Sequence, residues 1–224
     1  GDQRSEVRIL SPRHSLLTLW KNCGVNDILN LAKGHVDLIF ENPGWGPFTF
    51  HSALHTRSVF EKAKEWTASC VISQEHSEAL QLAALFHDIG YLSNYEDHEA
   101  EGIRMFLNFA DANGIPLLPQ NTVIELIECT RETHSDFSKP ISKIMHDIDR
   151  VAMGMADFID QGLNLRKEWE HFKRFKTNDK GWLEFQIQYL EKTKFKTEYG
   201  LSKYNLQRER NLQSLKALLA DTAK

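Results

Sequence analysis

The sequence has no apolar segment long enough to cross a membrane. Among its 224 residues the mostly apolar stretches are short, as at 80–86, whereas a helix needs about 20 predominantly apolar residues to span a bilayer. It also lacks the charged start and following apolar run of a secretory leader. We therefore expect a cytoplasmic protein with no membrane span.

Cysteine is scarce too. The three cysteines, Cys23, Cys70 and Cys129, are an odd number and show no CxxC spacing. Disulfide frameworks use an even set of cysteines, and thiolate metal sites use closely spaced pairs. The sequence therefore predicts reduced thiols rather than either of these.

Strand signals are nearly absent, because no apolar/polar alternation is sustained, whereas apolar residues recur at i, i+3 and i+4 along the chain. With 41% hydrophobic and 26% charged residues the composition is that of a globular protein. No repeat or linker divides the chain, so we expect one all-α protein over 1–224. The spacing predicts helices over residues 25–40, 52–70, 76–88, 97–112, 121–133, 140–160, 163–175, 180–197 and 202–220.

The charge is small overall but unevenly distributed. A net charge of −4 gives no signature of a nucleic-acid binder, so we expect no long nucleic acid as a partner. Residues 1–159 carry 13 Lys and Arg against 22 Asp and Glu, whereas residues 160–224 carry 14 against 9. An acidic body can hold metal ions and a basic tail can meet phosphates.

Ten histidines are a high count for this length, and several stand beside acids in apolar segments. His87 and Asp88 close the apolar run that ends in Phe86, and Gly90 is expected to end this helix in the left-handed conformation. Burying an imidazole costs free energy unless a partner satisfies it. Taken alone, the pair fits a buried histidine with a capping aspartate better than a metal site.

Two further clusters contain histidines or acids at close spacing. His51 and His55 lie four residues apart on one helical face, so both can address one metal, or one a metal and the other a substrate. Because Ser52 rather than Glu follows His51, this is not the HExxH motif of metalloproteases. Asp147 and Asp149 form the other cluster, and for Asp147 we favour an acidic helix N-terminus.

The sequence resembles the HD-domain metal-dependent phosphohydrolase superfamily. The H, HD, D pattern of that superfamily is matched, in order, by His55, His87-Asp88 and Asp149. The flanking residues agree: LFHDIGY at 85–91 is close to the family's HDIG form, and DIDR at 147–150 is similar to its DADR segment, in which the second Asp is the ligand. The resemblance covers about 50–155. It implies an all-α helical bundle, to which residues 160–220 add a C-terminal helical extension.

The resemblance also implies a cofactor and roles for individual residues. The cofactor would be one or two divalent metal ions (Mn, Fe, Zn, Co, Ni or Mg). Asp88 would also orient the attacking water, and His51 would be the proton donor, as the first His of the HNxxH segment is in cyclic-nucleotide phosphodiesterases, although Ser52 replaces Asn here. Arg57, Arg131 and Arg150 are candidate phosphate contacts, because guanidinium groups match phosphate oxygens. The expected metal ligands are His55, His87, Asp88, His98, His134 and Asp149.

The resemblance therefore predicts an enzyme that hydrolyses a phosphomonoester or phosphodiester of a nucleotide or other small molecule with metal-activated water. Two alternatives stay open. One is a diiron oxygenase on the same scaffold, whose ligand set is matched if His98 or His134 binds, and the other is a non-catalytic nucleotide-binding module. The sequence fits a monomer or a homo-oligomer.

Overall fold

The computed structural model describes residues 25–222, and between these residues the chain forms helices and no strand, so the predicted all-α class is confirmed. Cys23 lies outside this range. None of the helices in the described part of the chain is both long and apolar enough to cross a membrane.

Short 3₁₀ turns lie at Pro43–Trp45, Ile89–Leu92 and Val151–Gly154. The α-helices are α1 (Val25–Phe40), α2 (Ala53–Ser69), α3 (Gln74–Phe86), α4 (His98–Ala112), α5 (Leu117–Glu128), α6 (Pro140–Asp149), α7 (Phe158–His171), α8 (Asp179–Lys192) and α9 (Glu198–Asp221).

Several helix ends follow directly from local sequence. The side chains of Ser73, Asn178 and Thr197 accept hydrogen bonds from backbone N–H groups in the first turns of α3, α8 and α9, at 3.2, 2.9 and 2.9 Å, which is the usual N-cap arrangement. The predicted stop after α4 is also confirmed. Gly114 takes a positive φ of 65° there, a conformation that glycine adopts without strain.

Several predicted helix boundaries are wrong: the helix predicted over 121–133 ends at Glu128, the one over 163–175 begins at Phe158, and the one over 180–197 ends at Lys192. Two further differences have identifiable causes. α5 begins at Leu117 rather than at 121, because a proline at position 119 is tolerated in a first helical turn, where backbone N–H groups have no helical partner. The predicted helix 140–160 is broken after Asp149. There the Asn211 side chain on α9 donates hydrogen bonds to the carbonyls of Met153 (3.0 Å) and Met155 (2.8 Å), so these two groups are satisfied outside a helix.

α3 is the central helix of the bundle. It packs against α1, α2, α4, α5 and α6, and Leu80 and Ala83–Phe86 on it are buried. The buried apolar residues form one cluster, which also includes Leu190 on α8 and Leu215 on α9. The segment that ends α3 therefore lies deep in the protein.

Two glycines allow α4 to approach the end of α3 closely. A Cβ at Gly90 would lie 1.9 Å from the carbonyl oxygen of His98, and one at Gly102 would lie 2.5 Å from that of Phe86. Gly90 does not have the left-handed conformation that the sequence suggested, since Gly114 is the glycine with positive φ in the described residues. Its role is close packing, which brings His98 beside His87 and Asp88.

Candidate active site

His87 is placed by the end of α3 and fixed by a backbone contact. Its side chain is fully buried, and Nδ1 lies 3.0 Å from the carbonyl oxygen of Ala84. Because a carbonyl oxygen only accepts, Nδ1 carries a proton, and Nε2 is left to face the neighbouring carboxylates, or a metal ion once Nε2 has released its own proton. Nε2 lies 3.1 Å from Asp88 Oδ2 and 3.4 Å from Asp149 Oδ1.

His55 on α2 completes a group that can hold a metal ion. Its Nε2 lies 3.1 Å from Asp88 Oδ2, and ligand atoms of His55, His87 and Asp149 all lie within 4.8 Å of one another. His55 Nε2, His87 Nε2 and Asp88 Oδ2 are buried and have no hydrogen-bond partner among the described residues. Buried polar atoms are rarely left unpaired, and two imidazoles with two carboxylates suit a divalent transition metal. The residues therefore fit the implied ion.

The charges of this group are strongly coupled. Burial lowers the pKa of His87, but the carboxylates of Asp88 and Asp149 outweigh it and raise the pKa to about 10. Burial raises the pKa of Asp88, and His87 and His55 bring it well below its usual range. The pKa of Asp149 is likewise lowered, because the contacts with His87 and Arg150 outweigh burial. The two carboxylates therefore stabilise a positive charge between them, which can be the proton on His87 Nε2 or a divalent cation that replaces it.

His98, the first residue of α4, lies at the edge of this group. Its Nε2 is 3.8 Å from Asp88 Oδ1 and 3.4 Å from Glu99 Oε1. Burial lowers its pKa to about 4, although Asp88 opposes this, so the imidazole is neutral at neutral pH. The structure therefore brings His98 next to the predicted ligands, and ligation by it stays a prediction.

Comparison with known families decides the nature of this part of the chain. The family model described as "HD domain" matches residues 53–154. Residues 53–154 are an HD domain. Neither a curated protein nor a solved structure matches the chain. Domains of this family are largely metal-dependent phosphohydrolases, in agreement with the cluster of His55, His87 and Asp149.

Two residues predicted for the site lie away from it. His134, in the loop after α5, directs Nε2 to the carbonyl oxygen of Asp136 at 2.5 Å and does not line the cavity described below. Arg57, on the α2 surface of the HD domain, pairs with Asp37 at 2.8 Å and its side chain is 57% exposed. The spacing along the chain suggested both residues, but their local contacts direct them elsewhere.

Arg131 and Arg150 do reach the HD-domain cavity. Arg131 lies against three carboxylates, those of Asp97, Glu99 and Glu128. Arg150 donates from Nη1 to Asp149 Oδ2 at 2.9 Å and from Nη2 to the carbonyl oxygen of Thr130 at 3.0 Å. Arg150 therefore positions a predicted metal ligand and stands beside the reacting centre, whereas the charge of Arg131 is already balanced.

His51 lies just outside the HD-domain match and has a carboxylate partner that the sequence did not reveal. Its Nδ1 is 2.5 Å from Glu168 Oε1 on α7. Glu168 is fully buried, and its Oε2 accepts the backbone N–H groups of Phe50 and His51, both at 3.0 Å. Tyr95 donates to Oε1 at 2.8 Å. This network fixes both the ring and the proton on Nδ1.

The protonation of His51 reflects the same contacts. Burial lowers its pKa, but the hydrogen bond with Glu168 and the charge of Asp88 outweigh burial, so the pKa is raised. The ring is stacked on Tyr91, with centroids 4.1 Å apart, and Tyr91 stacks on His98 at 3.7 Å. The imidazoles of His51 and His98 thus lie on either side of the Tyr91 ring, beside the residues that could hold a metal ion.

Asp147 has a structural role, in line with our reluctance to make it a ligand. It is fully buried and accepts hydrogen bonds from the backbone N–H groups of Lys196 and Thr197 and from the Thr197 hydroxyl. It lies near the C-terminal end of α6, so the predicted acidic helix N-terminus is wrong. Its carboxylate instead ties α6 to the start of α9.

A cavity of about 570 Å³ joins these features. His51, His55, Asp88, His98 and Asp149 line one part of it. Residues of α7 and α8, beyond the HD domain, line the other part, among them Phe158, Gly162, Trp169, Trp182, Phe185, Gln186 and Tyr189. This volume suits a small organic ligand, so the C-terminal helices form part of the site.

Proposed function

We propose that this protein is a metal-dependent phosphohydrolase that hydrolyses the phosphoester of a nucleotide or another small molecule. The observation that carries the proposal is that His51, which pairs with Glu168, lines the same cavity as His55 and Asp149, whose ligand atoms group with that of His87. A metal group alone would fit binding, and a His–Glu pair alone would fit a buried contact. Together they supply the parts that phosphoester hydrolysis needs.

The ion would be held by His55, His87, Asp88 and Asp149, and when bound it lowers the pKa of water and polarises phosphoryl oxygens. His51 donates a proton from Nε2 to the oxygen of the leaving group. Glu168 keeps the other ring proton on Nδ1 and stabilises the charged imidazole, so the ring is protonated when the substrate arrives. Asp88, at the centre of the group, would orient the attacking water, whose pKa the bound ion lowers so that its proton can pass to solvent.

The oxygenase alternative is less well supported. Beyond His55, the His87-Asp88 pair and Asp149, that ligand set contains two further histidines. His98 lies 3.8 Å from Asp88, but His134 is directed to the backbone of Asp136. A donor such as His51, held by a carboxylate, is also a requirement of ester cleavage rather than of oxygen chemistry.

The test combines metal analysis with activity. We expect the purified protein, loaded with Mn²⁺, Co²⁺, Fe²⁺ or Zn²⁺, to bind one or two ions and to release phosphate or cleave a diester in a panel of nucleotides and p-nitrophenyl esters. The His87→Ala variant should lose both properties. The matched control is His134→Ala, which changes the same residue type outside the cavity and should keep both.

Three results would contradict the proposal. Metal bound without turnover across the panel would favour a binding module. Consumption of dioxygen by the ferrous protein would favour the oxygenase. Loss of metal in His134→Ala equal to that in His87→Ala would mean that the metal centre is placed wrongly.

A further inference from the structure

The part of the cavity wall that α8 forms contains two buried donors with no partner among the described residues. Trp182 Nε1 and Gln186 Nε2, one helical turn apart on α8, make no hydrogen bond among the described residues. The two residues are only 2% and 3% exposed, and both line the cavity. An unpaired buried donor is unfavourable, so a ligand that accepts a hydrogen bond from each of the two would remove this cost.

The surroundings of these donors are aromatic and uncharged. We call this part of the cavity the aromatic recess, lined by Phe158, Gly162, Trp169, Trp182, Phe185 and Gln186. Trp182 stacks on Phe185 with centroids 5.4 Å apart, and Trp169 meets both rings edge-on at 5.9 and 5.3 Å. Because burying an anion or a cation here would lack a counter-charge, the recess favours a neutral planar group.

Gly162 on α7 makes room for the Gln186 amide. A Cβ at this position would lie 2.0 Å from Gln186 Nε2, so any other residue would displace the amide. Glycine inside a helix is destabilising relative to alanine. Gly162 therefore destabilises α7 at the position where the Gln186 amide packs against this helix.

α8 connects the recess with the metal centre. Tyr189 also lines the cavity. Burial raises the pKa of its hydroxyl to about 12, and this pKa also responds to Arg150 and Asp149, so Tyr189 lies near the reacting end. Trp182 is seven residues earlier, or about 10 Å along a helix. One ligand can thus place an ester at the metal centre and a ring in the recess.

We infer that the aromatic recess binds the heteroaromatic base of the substrate, with carbonyl oxygens or ring nitrogens of the base accepting hydrogen bonds from Trp182 and Gln186. That this base belongs to the hydrolysed molecule rests on the proposed function. The binding of the base does not, because the recess lies outside the metal centre.

Nucleosides test the recess without hydrolysis, because they contain no phosphoester. We expect isothermal titration calorimetry with adenosine, guanosine, inosine, uridine and cytidine to detect binding of at least one to the full chain. Gln186→Met and Trp182→Phe remove one donor each and should weaken that nucleoside about 10-fold or more. The matched control is Gln161→Met, in the same cavity, because the Gln161 amide is already bonded to Asp157 at 2.8 Å.

The melting temperature separates recognition from a structural role. Gln186→Met keeps the side-chain volume and removes an unpaired donor, so its melting temperature should be unchanged or higher. A lower melting temperature, equal binding by Gln186→Met and Gln161→Met, or no nucleoside bound by the wild type would overturn the inference. If the protein hydrolysed p-nitrophenyl phosphate but bound no nucleoside, only the inference about the recess would be wrong. If it bound a nucleoside but hydrolysed no ester, only the proposed function would be wrong.

Discussion

At the scale of single residues, Glu168 holds His51 in place from a helix that lies outside the HD-domain match. Replacing it with Gln keeps the shape but sets an amide against groups that donate to both carboxylate oxygens. We expect Glu168→Gln to lower kcat about 10- to 100-fold, as loss of such a supporting contact commonly does, while metal content stays unchanged.

The pH profile shows whether the effect passes through His51. A general acid works below its pKa, and the pKa of His51 is raised because Glu168 and Asp88 outweigh burial. Removing the Glu168 charge lowers this pKa, so the fall in kcat at alkaline pH should begin at a lower pH in Glu168→Gln. If kcat began to fall at the same alkaline pH in the wild type and in Glu168→Gln, a group other than His51 would supply the proton.

Arg150 and Arg57 form a natural pair for a second test. Arg150 joins Asp149 to the Thr130 carbonyl at the site, so Arg150→Ala should lower kcat/KM more than 10-fold in the phosphoester assay. Arg57 forms an exposed ion pair with Asp37, of a kind worth about 1 kcal/mol or less, and Arg57→Ala should leave kcat/KM within about 2-fold of wild type. Equal losses in both variants would contradict these placements.

The residues that the sequence brought together are those of short local motifs. The resemblance to the H, HD, D pattern singled out His55, His87-Asp88 and Asp149, and the structure places ligand atoms of His55, His87 and Asp149 within 4.8 Å of one another. Glu168 could not be found this way, since 117 residues separate it from His51 and its own surroundings, Lys167 to His171, look like a solvated helix. Its only local signal is the neighbouring Trp169, which suggests a partly buried face.

At the scale of elements, Asp147 is the contact that ties α6 to α9. Its buried carboxylate accepts three hydrogen bonds from Lys196 and Thr197. Asp147→Asn would put an NH₂ group against one or more of these donors, and we expect it to lower the free energy of unfolding by about 2–4 kcal/mol. Urea denaturation measures this change.

The control for Asp147 is an exposed aspartate in a helix. Asp179 in the first turn of α8 has a side chain that is 85% exposed, so Asp179→Asn should change the free energy of unfolding by less than about 1 kcal/mol. If Asp147→Asn were equally mild, the contact between α6 and α9 would not be a stabilising one.

The break between α6 and α7 shows where helical periodicity fails as a guide. The apolar spacing continues from 140 to 160, and it predicted one helix. The chain turns because α9 supplies Asn211 to the carbonyls of Met153 and Met155, and because Gly154 lies against Tyr204, where a Cβ would come within 2.6 Å. Both contacts join residues that are about 50 positions apart in the sequence, so the local spacing of apolar residues could not predict them.

At the scale of the whole molecule, basic residues of the C-terminal part form ion pairs with acidic residues of the preceding part. Lys203 on α9 binds Glu65 on α2 at 2.7 Å, and Arg174 pairs with Glu96 at the cavity. Hydrogen bonds from Lys203 and Lys62 outweigh burial and lower the pKa of Glu65 to about 2. The basic C-terminal part thus balances the acidic part that contains the metal ligands.

The same organisation predicts that the HD domain does not fold alone. Truncation after Asp157 would remove Leu190 and Leu215 from the shared core, leave Asp147 and the Met153 carbonyl without their donors, and delete Glu168. Each loss exposes apolar surface or leaves a buried polar group unpaired. We expect the full chain to unfold in a single transition followed by circular dichroism, and residues 1–157 to show no cooperative transition and to bind no metal. A truncated chain that melts cooperatively and binds metal would instead make the C-terminal helices a separate unit, and our expectation of one domain over 1–224 would then be wrong.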